Sequence, residues 1–174
     1  DSSYALVCRL DDKAAVEQLR RIRQVDDKHH LTLLCRDLSE LASYARVDNR
    51  QYRLLKLATP GAYTFVLEGT KELPRRILHP KRKTLGLRIP DHRIMLGVLE
   101  ALGEPLLTTT LMLPGDDAPL SDGWSIKERL SPQLDLVVEG GWCGTEPTTV
   151  IDLCEMPPTV LRRGHGPLAP LGLQ

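Results

Sequence analysis

AYTFVLE, residues 62–68, gathers aromatic and β-branched side chains into one short run, the composition of a pleated strand. Thr59-Pro60-Gly61 stands immediately before it and breaks the preceding element. That element reads as a helix: Asp48 is placed to cap it, and it runs to about residue 58. Asp37 caps another helix to about residue 45, and LTLLC, residues 31–35, is a short, bounded apolar run that reads as a buried strand. Further upstream, Asp11 or Asp12 can cap a helix to about residue 23, with Ala15, Val16, Leu19 and Ile22 on its buried face.

The opening DSSYALVCRL has strand or buried-loop character. On the other side of AYTFVLE, a short helix is predicted within 71–78 and a strand over 84–89 (TLGLRI), whose internal Gly86 suggests close approach of something to the backbone. Asp91 is placed to cap a helix to residue 102 that Gly103 stops, and a strand follows over 105–109. Residues 113–123 form a Pro/Gly/Asp-rich loop. A helix near 125–130 and strands over 134–138, 148–153 and 159–162 complete the predicted elements. Strand and helix signals alternate, so the fold class is α/β. One domain is expected over 1–163, followed by a Gly/Pro-rich, loosely held tail over 164–174. The abrupt start suggests that a first strand and helix lie upstream.

At 174 residues and 41% hydrophobic content the chain can bury a sizeable core. Cys8, Cys35, Cys143 and Cys154 form no C-x-x-C pair and read as reduced, buried thiols, which points to a cytoplasmic protein. The apolar runs are too short to span a membrane. Aromatics make up only 4% of the chain, which disfavours base-stacking platforms.

Net charge is zero, with 23 basic and 23 acidic residues, yet the charge is segregated. Residues 71–93 hold eight basic side chains (Lys71, Arg75, Arg76, Lys81, Arg82, Lys83, Arg88 and Arg93) against Glu72 and Asp91. Such a segment either lines a phosphate-attracting groove or is a solvated face. A second group, Arg20, Arg21, Arg23 and Lys28 with His29 and His30, partly complements the dipole at a helix end.

Arg88 differs, because a charge inside the apolar strand GLRIP is unfavourable without a partner. Its guanidinium can take a carboxylate through two parallel hydrogen bonds. Thr108 and Thr110 share one strand face by the two-residue period. Neither a P-loop nor a GxGxxG turn is present, and neither are a zinc-ligand spacing and a Gly-x-Ser-x-Gly elbow. Cys35 ends a strand without an assignable partner histidine and reads as a wall residue.

In order, these segments resemble the YrdC/YciO family of threonylcarbamoyl-AMP synthases. Asp1-Ser2-Ser3-Tyr4-Ala5-Leu6 is similar to the end of its P-T-D-T-V-Y-G-L, and Arg21-Ile22-Arg23 stands at its K-x-R. Pro60 through Leu67 resembles P-G-P-x-T-x-V-L, and TLGLRIP, residues 84–90, resembles T-V-G-V-R-x-P. Gly140-Gly141 through Asp152 resembles G-G-x-C…S-T-V-V-D, and Leu161-Arg162-Arg163-Gly164 resembles L-R-x-G. RIRQ, LTLLCRDLSEL, PKRKT and TTTLMLPG are most similar to the YciO branch.

The resemblance implies a twisted mixed sheet with flanking helices and a basic concave surface. It also implies an enzyme that joins L-threonine, bicarbonate and ATP, with Mg²⁺, into threonylcarbamoyl-AMP and pyrophosphate for tRNA modification. Ser2, Arg88, Thr108 and Thr148 would line the threonine site. Arg21, Arg23, Thr84, Thr110 and Arg162 would hold ATP, and Lys81, Arg82 and Lys83 would face double-stranded RNA or tRNA. The sequence departs from the family at Arg21 for lysine, at Cys35 for a histidine, at Gln24 for a proline with a longer loop after it, and at Met112 for the asparagine of S-x-N. These departures leave room for an RNA- or ribosome-associated binding protein with weak or no synthase activity, or for transfer to another amine.

Overall fold

A computed structural model describes residues 1–174. Seven strands form one mixed sheet: β1 (Ala5–Arg9), β2 (Thr32–Leu34), β3 (Tyr63–Glu68), β4 (Thr84–Arg88), β5 (Leu106–Thr110), β6 (Thr149–Asp152) and β7 (Thr159–Arg162). Their order across the sheet is β1-β5-β2-β4-β3-β6-β7. β2–β4 and β3–β6 run parallel, and the remaining pairs are antiparallel. The helices are α1 (Lys13–Arg23), α2 (Leu38–Tyr44), α3 (Asn49–Ala58), α4 (Arg93–Leu102) and α5 (Gly123–Leu130).

Capping chemistry sets most helix starts. The Asp12 carboxylate accepts from Ala15 N at 3.0 Å, Asp37 caps α2, and Asp48 forms a capping box with Gln51. α4 departs from expectation. The backbone N–H of Asp91 donates to the Asp1 carboxylate at 2.7 Å, and His92 caps the helix through Nδ1. Gly103 stops it at φ 71°, a left-handed conformation suited to glycine. The segment 71–78 yields only a 3-10 turn, Arg75–Ile77, begun by Pro74.

The two faces of the sheet differ in chemistry. Leu33, Phe65, Leu67, Leu85, Leu87, Leu107 and Ile151 lie in one core with Val16, Leu19 and Ile22 of α1, Leu41 of α2 and Leu55 of α3. The opposite face is covered by α4 only in part, where Leu99 packs on Leu34 and Leu106. The rest of that face is open, and it is where the candidate site lies.

Two expected features are corrected. Residues 134–138 do not join the sheet. They cross the open face as an irregular strap, with Leu136 77% exposed. The segment 164–174 is packed rather than loose: Thr149 Oγ1 donates to Gly166 O at 2.6 Å, and Tyr63 OH donates to Pro167 O at 2.6 Å. Leu168, Leu171 and Leu173 rest on the core. Tyr63→Phe is therefore expected to lower stability by about 1 kcal/mol and to speed amide exchange selectively in residues 166–173. Unchanged exchange there would show that the phenol does not hold the tail.

Candidate functional site

Strand register places chemically similar residues side by side. Val7 pairs with Thr108, Thr108 with Thr32, Thr32 with Gly86, and Gly86 with Val66. Side chains alternate along a strand, so Thr110, Leu34, Arg88 and Thr64 share this face. All of them line a cavity of about 960 Å³. Its floor is thus hydroxyl-rich, with a glycine at the centre. A Cβ on Gly86 would lie 2.7 Å from Thr32 Oγ1 and 2.9 Å from Thr64 Cγ2. Those two side chains are the close approach that an in-strand glycine suggested.

Three arginines enter the cavity from different elements. Arg88, on β4, is 9% exposed. It is ion-paired to the Asp1 carboxylate and also donates to Ser2 Oγ at 3.3 Å and Gly61 O at 3.4 Å. Its Nε has no partner, and burial pulls the guanidinium down to about 10, so it stays charged at neutral pH.

Arg23, the last residue of α1, donates to Thr110 O, and its Nε is likewise unpartnered. Arg162, on β7, reaches in from the rim. It donates to Thr148 O through Nε (3.0 Å) and Nη2 (2.9 Å), and Nη2 also meets Thr148 Oγ1 at 3.2 Å. Burial lowers the pKa of both, and for Arg23 the nearby Arg162 lowers it further. Neither makes an ion pair. Two neighbouring cations without a carboxylate form a ready anion site. Among the cavity residues, Arg23, Lys28, Arg88 and Arg162 face only the carboxylates of Asp1 and Asp117, and Asp1 is committed to Arg88.

Two loops shape the mouth. Tyr4 OH donates to Gly141 O at 2.6 Å and accepts from Gly140 N at 3.1 Å, pinning the strap that follows α5. Glu139 accepts from Gly123 N at 3.1 Å, at the start of α5. Between α1 and β2, Arg20 donates to the carbonyls of Asp26 and His29 and holds that loop so that His29 and His30 face the cavity.

Of the residues singled out from the sequence, Ser2, Arg23, Arg88, Thr108, Thr110, Thr148 and Arg162 meet at this cavity. Arg21 does not. It is exposed, and its Nη1 donates to Gln18 on its own helix at 2.7 Å. Thr84 is buried outside the lining, with Oγ1 at 2.8 Å from His30 Nε2.

The run Lys81, Arg82 and Lys83 also lies away from the cavity. Arg82 is bound to Asp152 at 2.6 Å, and Lys83 Nζ turns back to Pro80 O. Cys35 is not a wall residue. Alternation gives that face to Leu34 and sends the Cys35 thiol into the core, where burial raises its pKa. Thr32, Thr64, His29 and the strap escaped sequence reading as site components, because strand pairing across long sequence separations brings Thr32 and Thr64 to this face.

Known proteins resemble this chain throughout. The family model described as Sua5/yciO/yrdC, telomere recombination, matches residues 1–164. An uncharacterized protein YciO of Escherichia coli K12 is 55% identical over 170 residues, covering 98% of this chain and 82% of that one. The E. coli YciO crystal structure superposes with a TM-score of 0.94, over 98% of this chain and 83% of that one. A mouse threonylcarbamoyl-AMP synthase is 30% identical over 162 residues, covering 88% of this chain and 56% of that one. Pyrococcus abyssi Sua5 complexed with L-threonine has a TM-score of 0.85 at 25% identity, over 94% of this chain and 48% of that one.

Proposed function

Because the chain belongs to the Sua5/YciO/YrdC family, we propose that it is a threonylcarbamoyl-AMP synthase-like nucleotidyltransferase, acting on L-threonine, bicarbonate and ATP to supply tRNA modification. The observation that carries this reading is the pair Arg23 and Arg162, free of any carboxylate and facing a hydroxyl-lined floor beside the partly satisfied Arg88. The reading is further supported by the names of the relatives, a threonylcarbamoyl-AMP synthase and a Sua5 that binds L-threonine.

In this scheme Arg88, with Ser2, Thr108 and Thr148, holds the amino acid by its carboxylate and hydroxyl. Arg23, Arg162 and Thr110 hold the triphosphate. The threonine amine and bicarbonate combine, with loss of water, to a carbamate. A carbamate oxygen attacks the α-phosphorus, the bond to the bridging oxygen breaks, and pyrophosphate leaves. Fixed cations stabilise the charge that develops on the leaving group, and they need no reorganisation to do so. Mg²⁺ arrives with ATP as part of the substrate. No group of three or more His, Cys, Asp or Glu is placed to hold a metal, and phosphate oxygens and water suit Mg²⁺. Arg21 and Thr84 have no contact role in this scheme.

Pyrophosphate release is the test, measured with ATP, bicarbonate and each amino acid in turn. Threonine-dependent release, reduced at least tenfold in Arg162→Ala, is the expected result. Release with another amine reassigns the substrate. Silence in every mixture, together with salt-sensitive binding to duplex RNA, contradicts the proposal in favour of a binding protein.

A further inference from the structure

We propose that His29 is a proton-linked phosphate ligand: the cavity offers it as a third cation that becomes charged when a polyphosphate occupies the space beside Arg23 and Arg162. The inference rests on the triphosphate reading of that cavity and adds a residue and a pH dependence to it. α1 ends in three arginines, yet Arg20 is spent on loop carbonyls and Arg21 is turned out to Gln18, so the helix delivers only Arg23 to the cavity. The loop that follows α1 brings His29 to the same place.

The geometry is specific. Arg23 is docked on the Thr110 carbonyl, and His29 Nε2 sits 3.5 Å from Thr109 Oγ1, one residue earlier on the same strand. The loop is fixed: Arg20 holds the His29 carbonyl, and the Asp26 carboxylate accepts from the backbone N–H groups of Lys28 (3.0 Å) and His29 (3.2 Å). The contact to Thr109 is long and weak and His29 lines the cavity, so a phosphate oxygen can compete for Nε2.

The charges around His29 favour its neutral form while the cavity is empty. Burial lowers its pKa, followed by Arg23, Arg20 and His30, and Asp26 opposes them. Lys28 lies on the same loop, and Arg162 faces Arg23 from β7. A bound polyphosphate reverses the sign of this field and favours the imidazolium. Its contribution to affinity is fully present below the pKa of the free protein and is lost as pH rises through the pKa of the complex.

The test uses the whole protein and inorganic pyrophosphate. The ¹³C resonance of the His29 ring, assigned with His29→Gln, is titrated with and without saturating pyrophosphate. The expected result is a midpoint raised by at least about one pH unit, equivalent to about tenfold in affinity. Binding to wild type should then weaken by up to about tenfold more than binding to His29→Gln as pH rises from below the free midpoint to above the midpoint of the complex. The titration of pyrophosphate itself is common to both proteins and cancels in this comparison. His29→Lys should bind with the weaker pH dependence of the Gln variant and the strength of wild type at low pH. If pyrophosphate binds and Arg23→Ala abolishes binding, but the His29 midpoint does not move, this inference is overturned and the synthase reading stands. If pyrophosphate does not bind wild type at all, both fall.

Discussion

Arg88→Ala is expected to lower kcat/KM for threonine-dependent pyrophosphate release by about 10³-fold, and Arg88→Lys by about 10²-fold. Arg88 is buried, and its guanidinium sits between Asp1, Ser2 and the floor of the cavity, with Nε unpartnered. A carboxylate bound there makes charge-assisted hydrogen bonds in a site largely closed to water, each worth about 1.5–3 kcal/mol. Lysine keeps the charge but gathers its donors on one nitrogen in place of a planar fork, so it serves Asp1 and a substrate carboxylate together less well. The two variants separate binding from folding. Alanine leaves the Asp1 carboxylate without its cation and lowers stability by about 3 kcal/mol; lysine keeps that pair and much of the stability. If Arg88→Lys retains full activity at subsaturating threonine, Arg88 is a structural ion pair and the amino-acid site lies elsewhere.

Gly86→Val is the second large effect. The residue lies in β4 between β2 and β3, and a Cβ there collides with Thr32 Oγ1 at 2.7 Å and Thr64 Cγ2 at 2.9 Å. Thr64 is buried and its hydroxyl is bonded to Thr148 Oγ1 at 2.8 Å, so its methyl cannot withdraw without breaking that bond. Overpacking of this kind costs about 1–3 kcal/mol, a melting-temperature loss of roughly 3–10 °C for a chain of this size. It also fills the centre of the cavity, so activity should fall further than stability. Gly86→Ala combined with Thr32→Ala removes the closer contact and should recover most of the stability. A Gly86→Val protein with wild-type melting and turnover would contradict this account of the floor.

Local signals made most elements legible in the sequence. AYTFVLE and TLGLRI became β3 and β4 because their composition suits strands, and Asp12, Asp37, Asp48 and Gly103 sit where helices begin or end. Arg88 stood out as a charge inside an apolar strand, and Thr108 and Thr110 as a shared face. The misses have physical causes. Residues 134–138 read as a strand, but the seven-stranded sheet is complete without them, and they cross the open face instead. Residues 164–174 read as a tail because glycine and proline disguise their contacts to Tyr63 and Thr149.

Tertiary geometry accounts for the remaining differences. The Thr32–Gly86–Val66 row depends on β2 and β4 pairing in parallel across a long sequence separation, which local pattern cannot reveal. Arg21 and Arg23 are two residues apart on a helix and so point in different directions, which composition alone does not show. The basic run at Lys81 to Lys83 drew attention by charge, yet the cations at the cavity are dispersed in sequence and assembled only by the fold.

The most direct test of the synthase reading follows carbon from bicarbonate into product. Wild-type protein, ATP, Mg²⁺, L-threonine and ¹³C-bicarbonate are incubated and analysed at once by mass spectrometry, beside an Arg23→Ala/Arg162→Ala control. The expected product is an adenylate that carries both threonine and the ¹³C label, absent from the control. No labelled adenylate from wild type, while ATP and threonine both bind, would contradict the synthase reading.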